Sequence, residues 1–413
     1  MDKMTERLYD LAYRFKETKL WEQLGDDQLF GVKHADGTVS YCSVLGQLGQ
    51  EYALNIYTGP EGFASYLRLI DLANISPEPV GDPFLEGEMR HAQKCLSCSF
   101  ENRDFMSDEE AKEVRSYTKT HGISLRGKNM YAVFLEYKPG YHPWKIESDT
   151  EKEHLCDALE AAVCLAELLK KEILHSFMIR PYWSSLEILL FSRKGANWSI
   201  ADASLPKTKF AYPAPQLTDE LRLQKIRKMK KEEVWQCAAF FSPAGIGDRA
   251  AGERPYYPLI LLGVTEEPAY VRPIHMGKLE EPEAFLTVLA DHITEGHHCP
   301  KIIRCADERC GSLLKDFCRK AGIRLETAGD LEAITEAEED LYAHLAGPED
   351  GMPNSEEDAE EMMKLMLEDL SRMSDAELRQ MPEGLVRAVL GLPGFEKNMP
   401  ELFARMKKLF GNR

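Results

Sequence analysis

The chain has 413 residues, with 51 Lys and Arg against 69 Asp and Glu and a formal net charge of −18. Such a length exceeds one ordinary core and predicts two domains plus an extension. The acidic balance disfavours wholesale wrapping by nucleic acid, since neutralising phosphates needs clustered Lys and Arg; and the longest apolar run, residues 256–264, falls well short of the roughly 20 residues of a membrane span.

The first residues, Met1-Asp2-Lys3-Met4, mix charges and lack the apolar core of a signal peptide, which predicts a cytoplasmic protein with no membrane partner. Ten cysteines in such a chain stay reduced and read as small apolar residues, ligands or nucleophiles. Residues 2–21 carry Leu8, Leu11, Ala12, Phe15 and Leu20 at helical spacing. The period then switches to two around Ala35-Asp36-Gly37, so residues 29–33 and 38–45 are expected to pair as a hairpin. A third strand at 52–57 runs through Gly59-Pro60-Glu61-Gly62 into a helix at 63–72.

Pro77, Pro79 and Pro83 predict a loop, followed by a strand at 94–101 and a helix opened by the capping box Ser107-Asp108-Glu109-Glu110. A strand at 131–138, a turn at Pro139-Gly140 and a long helix capped by Ser148 come next. Strands at 186–193 and 198–203 complete an α+β first domain, residues 1–203, with a mixed sheet. A linker and basic helix fill 204–233. Residues 234–345 form the second domain, with strands at 234–242, 257–264, 269–275, 301–306 and 323–327 and helices in the later gaps. Residues 346–413 are an acidic hinge and helical extension, including helices from Ser374 and over 400–410.

The element order of 234–345 resembles that of ribonuclease-H-like α/β domains. The resemblance implies two Mg²⁺ ions held by carboxylates, beginning with an acid in the first strand. Residues 234–242 contain none, and the nearest acid downstream is Asp248 in a loop. Asp307 and Glu308 follow the fourth strand, where the family places an acid, and Glu336, Glu338, Glu339 and Asp340 lie on the last helix. The competing reading makes the first pair a helix cap and the second group a solvated face.

Cys95 and Cys98 have the spacing of half a zinc site, but residues three apart in a strand point to opposite faces. The cluster His297, His298, Cys299, Cys305 and Cys310 fits no zinc template, and no metal site is expected. Arg222, Lys225, Arg227 and Lys228 make the most basic segment, read as a solvated connector helix before a nucleic-acid contact, since no interleaved aromatics offer stacking. Tyr137, Tyr141 and Trp144 join aromatics to prolines at a strand-to-helix turn; they either seal a core or, if exposed, form a binding surface.

Val39-Ser40-Tyr41-Cys42-Ser43-Val44-Leu45-Gly46 with Ile56-Tyr57-Thr58-Gly59-Pro60-Glu61-Gly62, and the run from Tyr137 to Trp144 followed by Glu151, resemble a family of uncharacterised bacterial two-domain proteins. That resemblance covers most of residues 1–345 and implies no known activity. The expectation is a non-catalytic binding or scaffolding protein without a cofactor, its partner a protein in preference to nucleic acid. Met362, Met363, Met366, Met373 and Met381 supply adaptable packing near the C-terminus. The alternative is a divergent metal-dependent nucleic-acid-processing enzyme using Asp307, Glu308, Glu336 and Asp340.

Overall fold

A computed structural model describes residues 2–49, 51–75, 83–175, 178–195, 197–247, 252–266, 270–329, 331–346 and 400–410. The Asp2 carboxylate accepts from the Met4 and Thr5 amides at 2.9 Å and opens α1 (Lys3–Thr18), satisfying donors that a helix start leaves orphaned. The expected hairpin pairs β1 (Phe30–Lys33) with β2 (Val39–Leu45), and the Asp36 carboxylate accepts from the Thr38 amide at 2.9 Å to tighten its turn. From β3 (Ala53–Thr58), Gly59 turns the chain with φ of 71° into α2 (Gly59–Ile75).

The proline-rich stretch departs from expectation. Pro77 and Pro79 lie outside the described residues, but Pro83 begins a helix, α3 (Pro83–Ala92). Proline is tolerated there because a first-turn amide has no intrahelical acceptor to lose. Leu85 and Ala92 are buried against Leu72 of α2, and the Ser65 hydroxyl joins the two helices by donating to the Ala92 carbonyl at 2.8 Å. β4 (Cys95–Glu101) follows, then α4 (Asp108–Thr120) behind the complete capping box of Ser107 and Glu110. β5 (Tyr131–Tyr137), a short β6 (Trp144–Lys145) that the sequence did not suggest, and α5 (Asp149–Lys170) continue the chain. β7 (Glu187–Lys194) and β8 (Asn197–Ser204) end the first part.

These strands make one eight-stranded sheet in the order β6-β5-β4-β3-β2-β1-β7-β8. Its neighbours are antiparallel except for the β1–β7 pair, which makes the sheet mixed. Phe15 of α1, Leu159 of α5, and Leu54 and Phe100 of the sheet share the core on one face. Tyr41 and Tyr57 meet Phe63 and Tyr66 of α2 on the other.

Residues 205–219 carry no helix or strand. α6 (Glu220–Lys228) then leads to a five-stranded sheet, β11-β10-β9-β12-β13, built from β9 (Lys231–Phe241), β10 (Leu259–Thr265), β11 (Tyr270–Gly277), β12 (Cys299–Cys305) and β13 (Arg324–Thr327). β9 runs antiparallel to β10 and parallel to β12. α7 (Pro282–Gly296) and α8 (Glu308–Ala321) cover the face bearing Trp235, Cys237, Ala239 and Phe241, whereas α9 (Glu332–Ala346) covers Ala238 and Phe240. The chain is therefore α+β with mixed sheets.

Met1–Leu345 forms one compact unit and Ala346–Arg413 another. Of the second unit, α10 (Pro400–Phe410) is described and matches the expected helix. The acidic stretch, the helix expected from Ser374 and the five C-terminal methionines lie outside the described residues. Among the described residues, no helix is long and apolar enough to cross a membrane.

Gly62 packs the start of α2 onto β3 so closely that an added Cβ would sit 2.7 Å from the Tyr57 carbonyl carbon and 3.1 Å from its Cα. Because these are backbone atoms, they cannot swing aside. Gly62→Ala is expected to cost about 1–3 kcal/mol, read as a lower urea midpoint with an unchanged slope. An unchanged midpoint would mean that α2 does not sit this close.

Candidate functional site

The end of β12 delivers Asp307 to the start of α8, where its Oδ1 accepts from the Cys310 amide at 2.7 Å. Within the first turn of α8, Arg309 points inward. Its side chain is only 9% exposed, and Nη1 donates to the Ala239 carbonyl of β9 at 3.2 Å. The guanidinium centre lies 5.0 Å from the Phe241 ring and 5.3 Å from the Tyr212 ring. Nη2 pairs with the carboxylate of Glu88, which belongs to α3.

A charge this buried costs several kcal/mol in lost hydration unless it is paired and hydrogen-bonded. Glu88, the Ala239 carbonyl and two ring faces meet that need here. From α9, Glu338 joins the same corner: burial and the neighbouring Asp307 push its carboxyl from the ordinary 4.5 to about 7, against the opposing pull of Arg309. Burial also raises Asp307, countered by the hydrogen bond from the Cys310 amide and by Arg309.

α3 brings more than Glu88. His91 is 6% exposed and stacks on Phe241 at 3.9 Å between centroids, with its edge to Tyr257 at 4.8 Å. Burial, with Arg309 and Arg90 nearby, pushes His91 down to about 3, so it is neutral at physiological pH. Arg90 Nη1 lies 3.5 Å from the Tyr257 hydroxyl. A cavity of about 170 Å³ remains between α3, the end of β9 and Tyr342 of α9. This falls below the roughly 300 Å³ at which ligand pockets usually begin.

A second tie joins the two sheets. The Tyr257 amide donates to the Gly140 carbonyl at 2.7 Å, and the His142 amide donates to the Pro255 carbonyl at 3.0 Å. Arg254 pairs with the Glu136 carboxylate at 2.5 Å while Nε donates to the His142 carbonyl at 3.0 Å. Lys138 and Tyr141 both reach Glu280, at 2.6 and 3.0 Å.

The residues singled out by sequence are dispersed. Asp307 caps α8 at the corner, whereas Glu308, Glu336 and Asp340 are exposed; Glu338, one member of the acidic run, faces inward. Tyr141 is part of the tie just described, Tyr137 lines a cavity beside α2, and Trp144 donates to Glu147 at 3.4 Å. Arg222 pairs with Asp291 at 3.1 Å and Arg227 with Glu220 at 2.7 Å, while Lys225 and Lys228 are exposed on α6. Cys95 and Cys98 point into the cores on opposite faces of their sheet. His298 pairs with Glu233 at 2.6 Å, and Cys299, Cys305 and Cys310 are buried. Among the described residues, no three His, Cys, Asp or Glu side chains are grouped to hold a metal ion. Asp248 lies outside the described residues.

Glu88, His91 and Arg309 thus build the corner with Asp307 and Glu338; the sequence reading proposes none of the first three, and names Glu338 only as one acid of the run on the last helix. For Glu338 a signal existed, because it falls between Ile334 and Leu341 on the apolar stripe of α9. Arg309 gave none, since its partner is 221 residues away.

Residues 6–180 match the family model described as domain of unknown function (DUF7309), and residues 222–342 match domain of unknown function (DUF6930). The pair fits an uncharacterised two-domain family. Neither a curated protein nor a solved structure matches the chain.

The raised Glu338 carboxyl makes stability depend on pH. Between the ordinary 4.5 and about 7 the folded chain holds a proton that the unfolded chain has released, so stability falls as pH rises through that window. Glu338→Gln removes the titration and is expected to gain on the order of 1–3 kcal/mol relative to the parent at pH 8, with little difference near pH 4. Parallel urea curves for the two proteins at both pH values would refute this burial of Glu338.

Proposed function

We propose that this chain, whose two halves match domains of unknown function, is a non-catalytic binding protein. In this reading the second domain is ribonuclease-H-like, and its carboxylate corner is closed by the first. Support for the fold comes from three successive antiparallel strands, β9 to β11, with β12 and β13 added parallel on the other side of β9 and helices on both faces.

An active nuclease of that type needs carboxylate oxygens gathered around two divalent cations, which clamp the attacking and leaving oxygens. The residues present do not fit such ions. β9 begins earlier than the sequence suggests and carries Glu232 and Glu233, but only at its start, where Glu233 accepts from the Trp235 indole at 2.7 Å and pairs with His298. Further along, Ala238 and Phe240 are buried and apolar, one oxygen of Asp307 is committed to capping α8, and the guanidinium of Arg309 lies beside Asp307 and Glu338. Arg309 supplies the positive charge that a metal would otherwise bring.

The observation that carries the reading is the pairing of Arg309 with Glu88, because it places α3 of the first domain over the corner where a substrate phosphate would have to enter. The divergent-nuclease alternative keeps one support, the neighbouring carboxyls of Asp307 and Glu338. Incubating the full chain and Asp307→Asn with labelled RNA, DNA and hybrid duplexes in Mg²⁺ or Mn²⁺ decides between them. The expected result is no cleavage by either protein; metal-dependent cleavage abolished by Asp307→Asn would overturn the proposal.

A further inference from the structure

We infer that a cavity in the first domain, between the sheet and α2, binds a small organic cation carrying an apolar or aromatic body. The cavity measures about 360 Å³, and Tyr57, Tyr66 and Tyr137 contribute to its walls beside Leu69 and Ile70 of α2. That volume lies at the lower end of the range for small-molecule sites, roughly 300–1,000 Å³.

The polar groups of the cavity decide which ligand fits. Asn55 is 7% exposed, and its Oδ1 is buried without a hydrogen bond from any described residue. Leaving a buried acceptor unpaired is costly, which makes this oxygen the point where a ligand gains most. Two of the neighbouring hydroxyls are engaged elsewhere. Ser43 donates to the Asp26 carbonyl at 2.7 Å, and Tyr66 donates to the same carbonyl at 3.2 Å.

Gln93 directs its amide to Cys95 Sγ at 3.3 Å, and the charged groups that face the cavity are chiefly acceptors. Asp26 and Glu51 line it as exposed residues and add two carboxylates to the carboxamide oxygen. Arg90 is the opposing cation, but its guanidinium is directed to Tyr257, 3.5 Å from the hydroxyl and 5.9 Å from the ring centroid. An ammonium or amidinium head meets Asn55 and the carboxylates as a donor, while the tyrosine faces favour a cation and the aliphatic wall takes the body. A carboxylate or phosphate ligand would face three acceptors.

The test titrates the full chain by calorimetry with phenethylammonium, 1,5-diaminopentane and benzamidine, using phenylethanol and phenylacetate as neutral and anionic controls. Saturable binding of at least one cation is expected, weakened at least about tenfold by Glu51→Gln and by Asn55→Leu, since each removes a hydrogen bond to a charged group. Glu51 is exposed as a residue, although burial of its carboxyl, with Glu101 nearby, raises its pKa; Glu51→Gln is therefore expected to fold with a melting temperature no lower than the parent's and to report on binding even if Asn55→Leu folds poorly. Equal binding of phenylethanol, preferential binding of phenylacetate, cation binding indifferent to Glu51→Gln, or no saturable binding of any cation would each overturn the inference.

Discussion

A buried guanidinium has to be paired, and the arrangement of the two sheets follows from how Arg309 meets that demand. α8 supplies the arginine, β9 a carbonyl and a ring face, the coil before α6 the ring of Tyr212, and α3 the carboxylate of Glu88. Removing one member of such a set leaves the rest uncompensated, at a cost of about 3–5 kcal/mol for a fully buried pair. α3, which packs beside the eight-stranded sheet, is thereby required for the charge balance of the part built on the five-stranded sheet. Gly140 and His142 repeat the connection through main-chain bonds to Tyr257 and Pro255, and Arg254 adds its side chain to the His142 carbonyl. On the proposed reading, the poor fit to a metal and the docking of α3 both follow from that one charge.

The same helix shapes the first domain. α3 is tied to α2 by Ser65 and the Leu72–Leu85–Ala92 cluster, so the residues that close the corner on one side also help wall the cavity beside α2, through Met89, Arg90 and Gln93. Arg90 illustrates the coupling: it lines that cavity yet spends its guanidinium on Tyr257 of the second domain. Occupation of the cavity and docking of α3 therefore act on a shared element.

Much of the architecture was legible because local chemistry dictates it. Ser107 and Ser148 cap α4 and α5 where the sequence places them, the Asp36-Gly37 turn fixes the first hairpin, and β10 shows as a continuous apolar run, as a strand buried on both faces should. The opposite orientations of Cys95 and Cys98 followed from strand geometry alone. α3 was missed because three prolines in seven positions read as a loop, although Pro83 only has to occupy a first turn. The corner was illegible for a different reason. Glu88 and Arg309 meet across 221 residues, and spacing carries no information about a contact between two sheets. Which acid of the 336–340 run points inward is set by the rotation of α9 about Ile334 and Leu341, a pattern present in the sequence but hidden by the surrounding charge.

On the proposed reading, α3 remains seated over the five-stranded sheet and keeps the carboxylate corner shut. Native-state hydrogen exchange on the full chain measures this directly, amide by amide. If the account holds, the amides of residues 87–92 exchange as slowly as those in the first turns of α8, because neither can open without stranding Arg309. Exchange of 87–92 at the rate of unstructured chain, with β9 and α8 still protected, would contradict it: the corner would then be open and Arg309 solvated.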